Sequence, residues 1–148
     1  MLFGCVFLIV FFVTLIKISI DDIYKRSVSH KSLFWLTGLL LLSWGFHFNL
    51  SVLPYTLAIL VVGFGLFCLG VLGAGDTKLL AVLSLGVSPE FIPLMLYSVA
   101  LLGGVLALGY LLYGLMTDLT KVREKGIPYA VPISIAGGVF IFLSCFSR

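Results

Sequence analysis

Charge is what this sequence has least of. Of its 148 residues 10% are charged and 61% hydrophobic, with a mean hydropathy of +1.26. A soluble domain carries about 25% charged residues, so this chain cannot cover a water-exposed globule and its surroundings must be largely lipid. Cysteine is scarce too: Cys5, Cys68 and Cys145 each stand alone in an apolar stretch. Without a CxxC pair, neither a zinc site nor a disulfide framework is indicated, and the three read as small packing residues. The two histidines, His30 and His47, fall in separate polar breaks, so no serine–histidine–acid constellation and no metal-ligand cluster is offered. A net charge of +3 does not suggest nucleic acid. Met1 to Ile16 lacks the basic start and small-residue exit of a signal peptide, and is expected to remain as a span.

What the chain does have is long, continuous apolar runs, which mark helices rather than the alternating strands of a membrane barrel. Crossing the hydrocarbon core takes about 20 helical residues. The candidate spans are Leu2–Ser19, Ser32–Phe48, Val52–Leu72, Lys78–Ser88, Phe91–Met116 and Pro128–Phe146. The fourth is short, about 16 Å of helix, and either extends through Pro89 or stops within a protein-lined cavity. The expected fold is therefore all-α: a polytopic membrane helix bundle of about six segments, five if the fourth does not cross, forming one domain over residues 1–148. With the first break in the cytoplasm, alternation puts eight of the nine basic residues near that face: Lys17, Lys25, Arg26, Lys31, Lys78, Lys121, Arg123 and Lys125, all but Arg148. That bias is the positive-inside pattern of a multi-pass inner-membrane protein with both termini away from the cytoplasm.

Six acids remain. Glu90, Asp118 and Glu124 lie in breaks beside water and read as solvated charges. Asp21, Asp22 and Asp76 lie where apolar spans meet one membrane face, and a carboxylate there is a functional candidate unless it merely caps or anchors a helix. Two glycines precede Asp76 in Gly73-Ala74-Gly75-Asp76-Thr77-Lys78. Glycine permits positive φ and close backbone approach, so a peptide strand could lie against this carboxylate, which also occupies a good N-cap position. Two carboxylates in one site cannot both ionise easily. One then polarises a scissile carbonyl while the other takes a proton from water, a route to peptide hydrolysis that needs no metal, cofactor or covalent intermediate.

These residues carry a resemblance. The chain is similar to the type IV prepilin peptidases, the GxGD aspartyl proteases of peptidase family A24, and especially to the short form associated with tight-adherence (Flp) pili. Gly73 to Lys78 matches the GxGDxK motif. Asp22-Ile23-Tyr24-Lys25-Arg26-Ser27-Val28-Ser29-His30 looks like the family's aspartate and basic stretch, with Ser29 and His30 in place of its usual proline and asparagine. Ile127-Pro128-Tyr129-Ala130-Val131-Pro132 resembles its Pro-Tyr element. The resemblance implies Asp22 and Asp76 as the catalytic pair, Gly73, Gly75 and Lys78 as their support, and Arg26, His30, Pro128 and Tyr129 as lining of the substrate site. Lys78 reads equally well as a membrane-interface anchor. Asp22 is preferred to Asp21 because its spacing aligns Val28, Ser29 and His30 with the motif, and adjacent helical residues point about 100° apart. The resemblance further implies a pilin-like peptide substrate cut near the cytoplasmic face and no methyltransferase part, with that substrate and membrane lipid as partners. Two other readings use the same acids: a small ion or solute translocator, and a noncatalytic membrane assembly factor.

The topology is testable directly. Cysteine reporters at Ser27 and Lys121 should label only from the cytoplasmic side, and reporters at Asn49 and Ser147 only from the other. A reporter at Thr77 should also label from the cytoplasmic side, and labelling of Thr77 and Lys121 from opposite faces would show that the segment at 78–88 does not cross.

Overall fold

The computed structural model describes residues 2–25, 28–44, 50–117 and 126–146. Among them it forms six α-helices and no strand: α1 Leu2–Lys25, α2 His30–Trp44, α3 Leu53–Cys68, α4 Ala74–Gly86, α5 Ile92–Met116 and α6 Ala130–Phe146. Single 3-10 turns lead into α3 at Leu50–Val52 and into α5 at Pro89–Phe91. Proline stands at the start of both helices, where its fixed φ suits the first turn and no backbone donor is lost. The all-α bundle is as the apolar runs indicated.

Several helix ends differ from those the polarity pattern suggested, α3 stopping at Cys68 rather than Leu72, and two of them bear on the acids. α1 does not stop at Ser19 but continues to Lys25, carrying Asp21 and Asp22 in its last turns. Polarity marks where lipid ends, whereas a helix ends only where glycine, proline or a competing contact ends it, and residues 5–37 hold neither glycine nor proline. An Asp21–Lys25 ion pair of 3.0 Å, four residues apart, supports the extension. α4 likewise begins at Ala74 rather than Lys78, which places Asp76 inside its first turn.

α4 is thirteen residues long, about 20 Å, and is the middle of the bundle. It packs against α2, α3 and α6, while α6 packs against α1, α4 and α5. Leu79 and Leu83 of α4, Ile133 and Ile141 of α6, Phe11 and Ile18 of α1, and Leu36 and Leu40 of α2 are all buried in this core. A short helix so enclosed needs no lipid contact of its own. The outer helices are the reverse. Leu50–Cys68 and Pro89–Met116 are long and apolar enough to cross a membrane, yet only 22% and 17% of their apolar windows are buried. Their outward faces carry Leu57, Val61, Val62, Phe64, Leu94, Val105 and Leu108, more apolar surface than a water-soluble protein exposes.

Hydrogen bonds between helices add direction to this packing. Thr77 Oγ1 of α4 donates to the Gly63 carbonyl of α3 at 3.2 Å, and Thr56 and Ser84 pair their hydroxyls at 2.8 Å about two turns away. The backbone N–H of Ser88 donates to Ser144 Oγ of α6 at 2.9 Å. Asp22 near the end of α1 meets Ala130 at the start of α6, and Gly138 lies against Phe12 and Leu15, so α1 and α6 run antiparallel. Cys68 and Cys145 sit exposed on the outside rather than packed within, because each falls on a helix face turned away from the core. The charges at Asp118, Lys121, Arg123, Glu124 and Lys125, and the residues Arg26 and His47, lie outside the described residues.

α6 and α4 approach closely at Gly137: a Cβ there would stand 2.6 Å from Leu83 Cδ1 and 3.2 Å from Leu83 Cβ. Gly137→Val should therefore destabilise the bundle by about 1–3 kcal/mol, seen as a lower melting temperature in detergent. Gly104→Ala, with nothing within 4 Å of its added Cβ, should leave the melting temperature unchanged.

Candidate active site

Asp22 sits in the last turn of α1 and is 6% exposed. The C-terminal end of a helix is a poor place for a negative charge, and the compensation comes from another helix. Ala130 is the first residue of α6, and its N–H has no partner within that helix. It donates to Asp22 Oδ2 at 3.2 Å. The preceding residues fix this donor. Pro128 is buried, and Tyr129 packs its ring against Gly103 of α5, where a Cβ would come within 3.1 Å of it. The Tyr129 N–H turns back to the Ile127 carbonyl at 3.0 Å. The Pro-Tyr element thus aims the N-terminus of α6 at Asp22.

Asp76 is 9% exposed and occupies the third position of α4, not the N-cap. The N-cap is Gly73, with extended backbone at φ −73° and ψ 146°. The Asp76 carboxylate reaches back to the Gly73 N–H, the arrangement of one half of a capping box. This explains the first glycine of the motif: a Cβ at Gly73 would stand 2.7 Å from Asp76 Oδ2 and displace it. The second glycine serves the neighbouring loop, since a Cβ at Gly75 would stand 3.1 Å from Val28 Cβ. Val28 packs there and ties the chain leaving α1 to the start of α4. Neither glycine has positive φ; among the described residues only Gly70 and Gly126 do. The glycines admit close approach by the protein's own side chains.

Thr77 completes the turn. Its Oγ1 lies 3.2 Å from both the Gly63 and the Gly73 carbonyls, and its N–H donates to Gly73 O at 3.1 Å. Gly63 must be glycine for this, because a Cβ would approach Thr77 Cγ2 to 2.5 Å. Sequence reading did not single out Thr77, Gly63 or the Ala130 N–H. A backbone donor leaves no trace in side-chain pattern, and the only pointer to it was the Pro-Tyr element in front.

Asp76 and Asp22 share one electrostatic environment. Asp76 lies in the first turn of α4, outside the two helices long and apolar enough to cross a membrane. Burial there, and next the charge of Asp22, push its carboxyl from 3.8 up to about 7, against the opposing pull of the Gly73 N–H. Asp21 is directed differently, to its ion pair with Lys25. Lys78 is exposed and borders an outer groove with Phe64 and Phe67, and His30 is exposed at the first residue of α2. The structure therefore brings together Asp22, Asp76, Gly73, Gly75, Pro128 and Tyr129, and leaves Lys78 and His30 at the surface. Among the described residues, no three histidine, cysteine or carboxylate side chains are placed to hold a metal ion.

A carboxyl raised in the folded state holds its proton where the unfolded chain has lost it. Between pH 4 and pH 7 the folded protein binds more protons at Asp76, so stability falls as pH rises through this window. Asp76→Asn, which keeps an acceptor for the Gly73 N–H, should remove this slope. In detergent its melting temperature should exceed that of the unmodified protein by more at pH 8 than at pH 5.

A family model described as the type IV leader peptidase family matches residues 9–108, a stretch that contains both Asp22 and Asp76 and ends before α6. No curated protein and no solved structure matches the chain significantly. A match over two thirds of the sequence, with the two acids inside it, establishes that the chain belongs to the type IV leader peptidase family.

Proposed function

We propose that this leader peptidase is an aspartyl endopeptidase in which Asp22 and Asp76 hydrolyse the bond between the leader and the mature part of a pilin-like precursor. The observation that carries the reading is the pairing of two buried carboxylates from α1 and α4, each met by a backbone N–H at the start of a helix. With its carboxyl raised to about 7, Asp76 is the acid of the pair. Asp22, facing the N-terminus of α6, is the base.

The steps follow from these roles. A water between the carboxylates gives a proton to Asp22 as its oxygen attacks the scissile carbonyl carbon, and Asp76 gives its proton to the carbonyl oxygen. The resulting tetrahedral diol returns a proton to the departing amine as the C–N bond breaks. One water is consumed, and the pair ends with a single proton between its members, as it began. Helix N-termini hold the charge that remains at each stage.

The basic bias of the short breaks supports an active site near the cytoplasmic face of a multi-pass inner-membrane protein, and the apolar outer faces of α3 and α5 support lipid contact. The precursor would then present its leader in the cytoplasm and continue as an apolar helix in the bilayer. The resemblance to the short form of the family, carried by Asp22 to His30 and by the GxGDxK motif, supports precursors of Flp-type pili as the substrates.

Because the two carboxylates act as one unit, Asp22→Asn and Asp76→Asn should each reduce cleavage of a prepilin by at least about 1,000-fold while membrane insertion persists. Asp21→Asn should keep most of the activity. Gel analysis of precursor and product in purified or reconstituted protein reads this out. Activity in both single variants would remove the aspartyl mechanism, and complete inhibition by a chelator, reversed by zinc, would contradict it from another side.

A further inference from the structure

The two most lipid-exposed helices, α3 and α5, each have a partner inside the bundle. α3 lies on α4 and α5 lies on α6, and neither packs extensively on the other. The space left between them is a cleft of about 550 Å³ with an almost wholly apolar lining. Along α3 its lining runs from Tyr55 to Leu66, and along α5 from Ile92 to Gly104. Those stretches are about 16 Å and 18 Å of helix at 1.5 Å per residue.

One end of this cleft comes up beside the residues that hold the catalytic pair. Tyr129 lines the cleft, and the next residue, Ala130, holds Asp22 through its N–H. Gly63 also lines it, and its carbonyl receives the hydroxyl of Thr77, the neighbour of Asp76. From that end the cleft descends toward the Ile92 end of α5, with no charged residue in its lining. A peptide whose scissile bond lies at the pair and whose following residues are apolar would continue straight into it. Since an α-helix is about 10 Å wide, the cleft is too small to enclose one over this length. It takes the side chains of one helix face and leaves the other face in lipid. At Gly104 an added Cβ would meet nothing within 4 Å, so backbone is open to close approach there.

We propose that the cleft between α3 and α5 receives, sideways from the bilayer, the apolar helix that follows the scissile bond, seating about eleven residues of it below Asp22 and Asp76. This rests on the leader-peptidase reading above and adds to it where the substrate lies and from which side it arrives. Gly104 is then the point at which the substrate helix comes closest to the backbone of α5.

The test uses the full chain in membranes, co-expressed with epitope-tagged type IV prepilins. A photo-crosslinking phenylalanine derivative is placed at Leu96, which lines the cleft, or at Tyr97, which is 66% exposed and outside it. Both are built on Asp76→Asn to hold the precursor uncut. The expected result is a prepilin adduct from position 96 and none from position 97. In parallel, Gly104→Trp should fill the cleft and slow prepilin cleavage at least 10-fold, whereas Gly109→Trp, equally open but away from the cleft, should cleave at the unmodified rate. Adducts from position 97 alone, or lipid adducts alone from position 96 with full activity in Gly104→Trp, would overturn the proposal while leaving the peptidase intact. If the unmodified protein cuts none of the prepilins, the peptidase reading fails, and this one with it.

Discussion

A carboxylate withdrawn from water into an apolar bundle costs several kcal/mol unless backbone donors or a retained proton compensate it, and this fold is arranged so that both occur at one place. Asp22 and Asp76 come from helices separated by some fifty residues, and each meets the N–H of a residue at the start of a helix. The site thus forms at the joint of three helices, with the end of α1 lying against the beginnings of α4 and α6. Moving any of these ends would strand a buried charge. This constraint accounts for the turn at Thr77, the buried Pro128 and the close approach of Val28 to Gly75. Each fixes a helix end rather than touching the reacting atoms.

The same constraint explains why so short a helix stands in the middle. α4 would not cross a bilayer alone, and as the central element it does not have to. Its first turn carries Asp76, its later turns carry Leu79, Leu83 and Ser84, and its neighbours cover it on all sides that matter for solvation. Polar pairs such as Thr56–Ser84 are worth about 1 kcal/mol or less in lipid, so their contribution is chiefly to register. They prevent α3 from sliding along α4, which would carry the Gly63 carbonyl away from Thr77. The close contacts around the pair contrast with the sparse packing between α3 and α5, the side that carries exposed apolar residues.

Much of this was legible from the chain alone. The apolar runs and the scarcity of charge determined an all-helical bundle, and the glycines ahead of Asp76 marked a place of close approach. Hydropathy and spacing are local properties, and they report local facts well. They were less sure at the ends of helices, because a change from apolar to polar side chains records the lipid boundary and not the last hydrogen bond. That is why α1 carries Asp21 and Asp22 inside the helix instead of in a loop. It is also why Asp76 belongs to the third position of α4 and not to its cap.

What the tertiary structure alone decided are the contacts between distant residues. Ala130 donates to Asp22 across 108 residues of sequence, and no periodicity encodes such a distance. Composition and local order supplied the residue types that could form a site: two acids at the edges of apolar runs, one of them preceded by glycines. Packing decided that Asp22 faces that site while Asp21 turns to Lys25, that Gly73 makes room for a carboxylate, and that Lys78 and His30 remain outside. The reason is physical. Helix formation is governed by neighbours three and four residues apart, whereas the direction of a buried charge is settled by whichever donors the assembled helices bring to it.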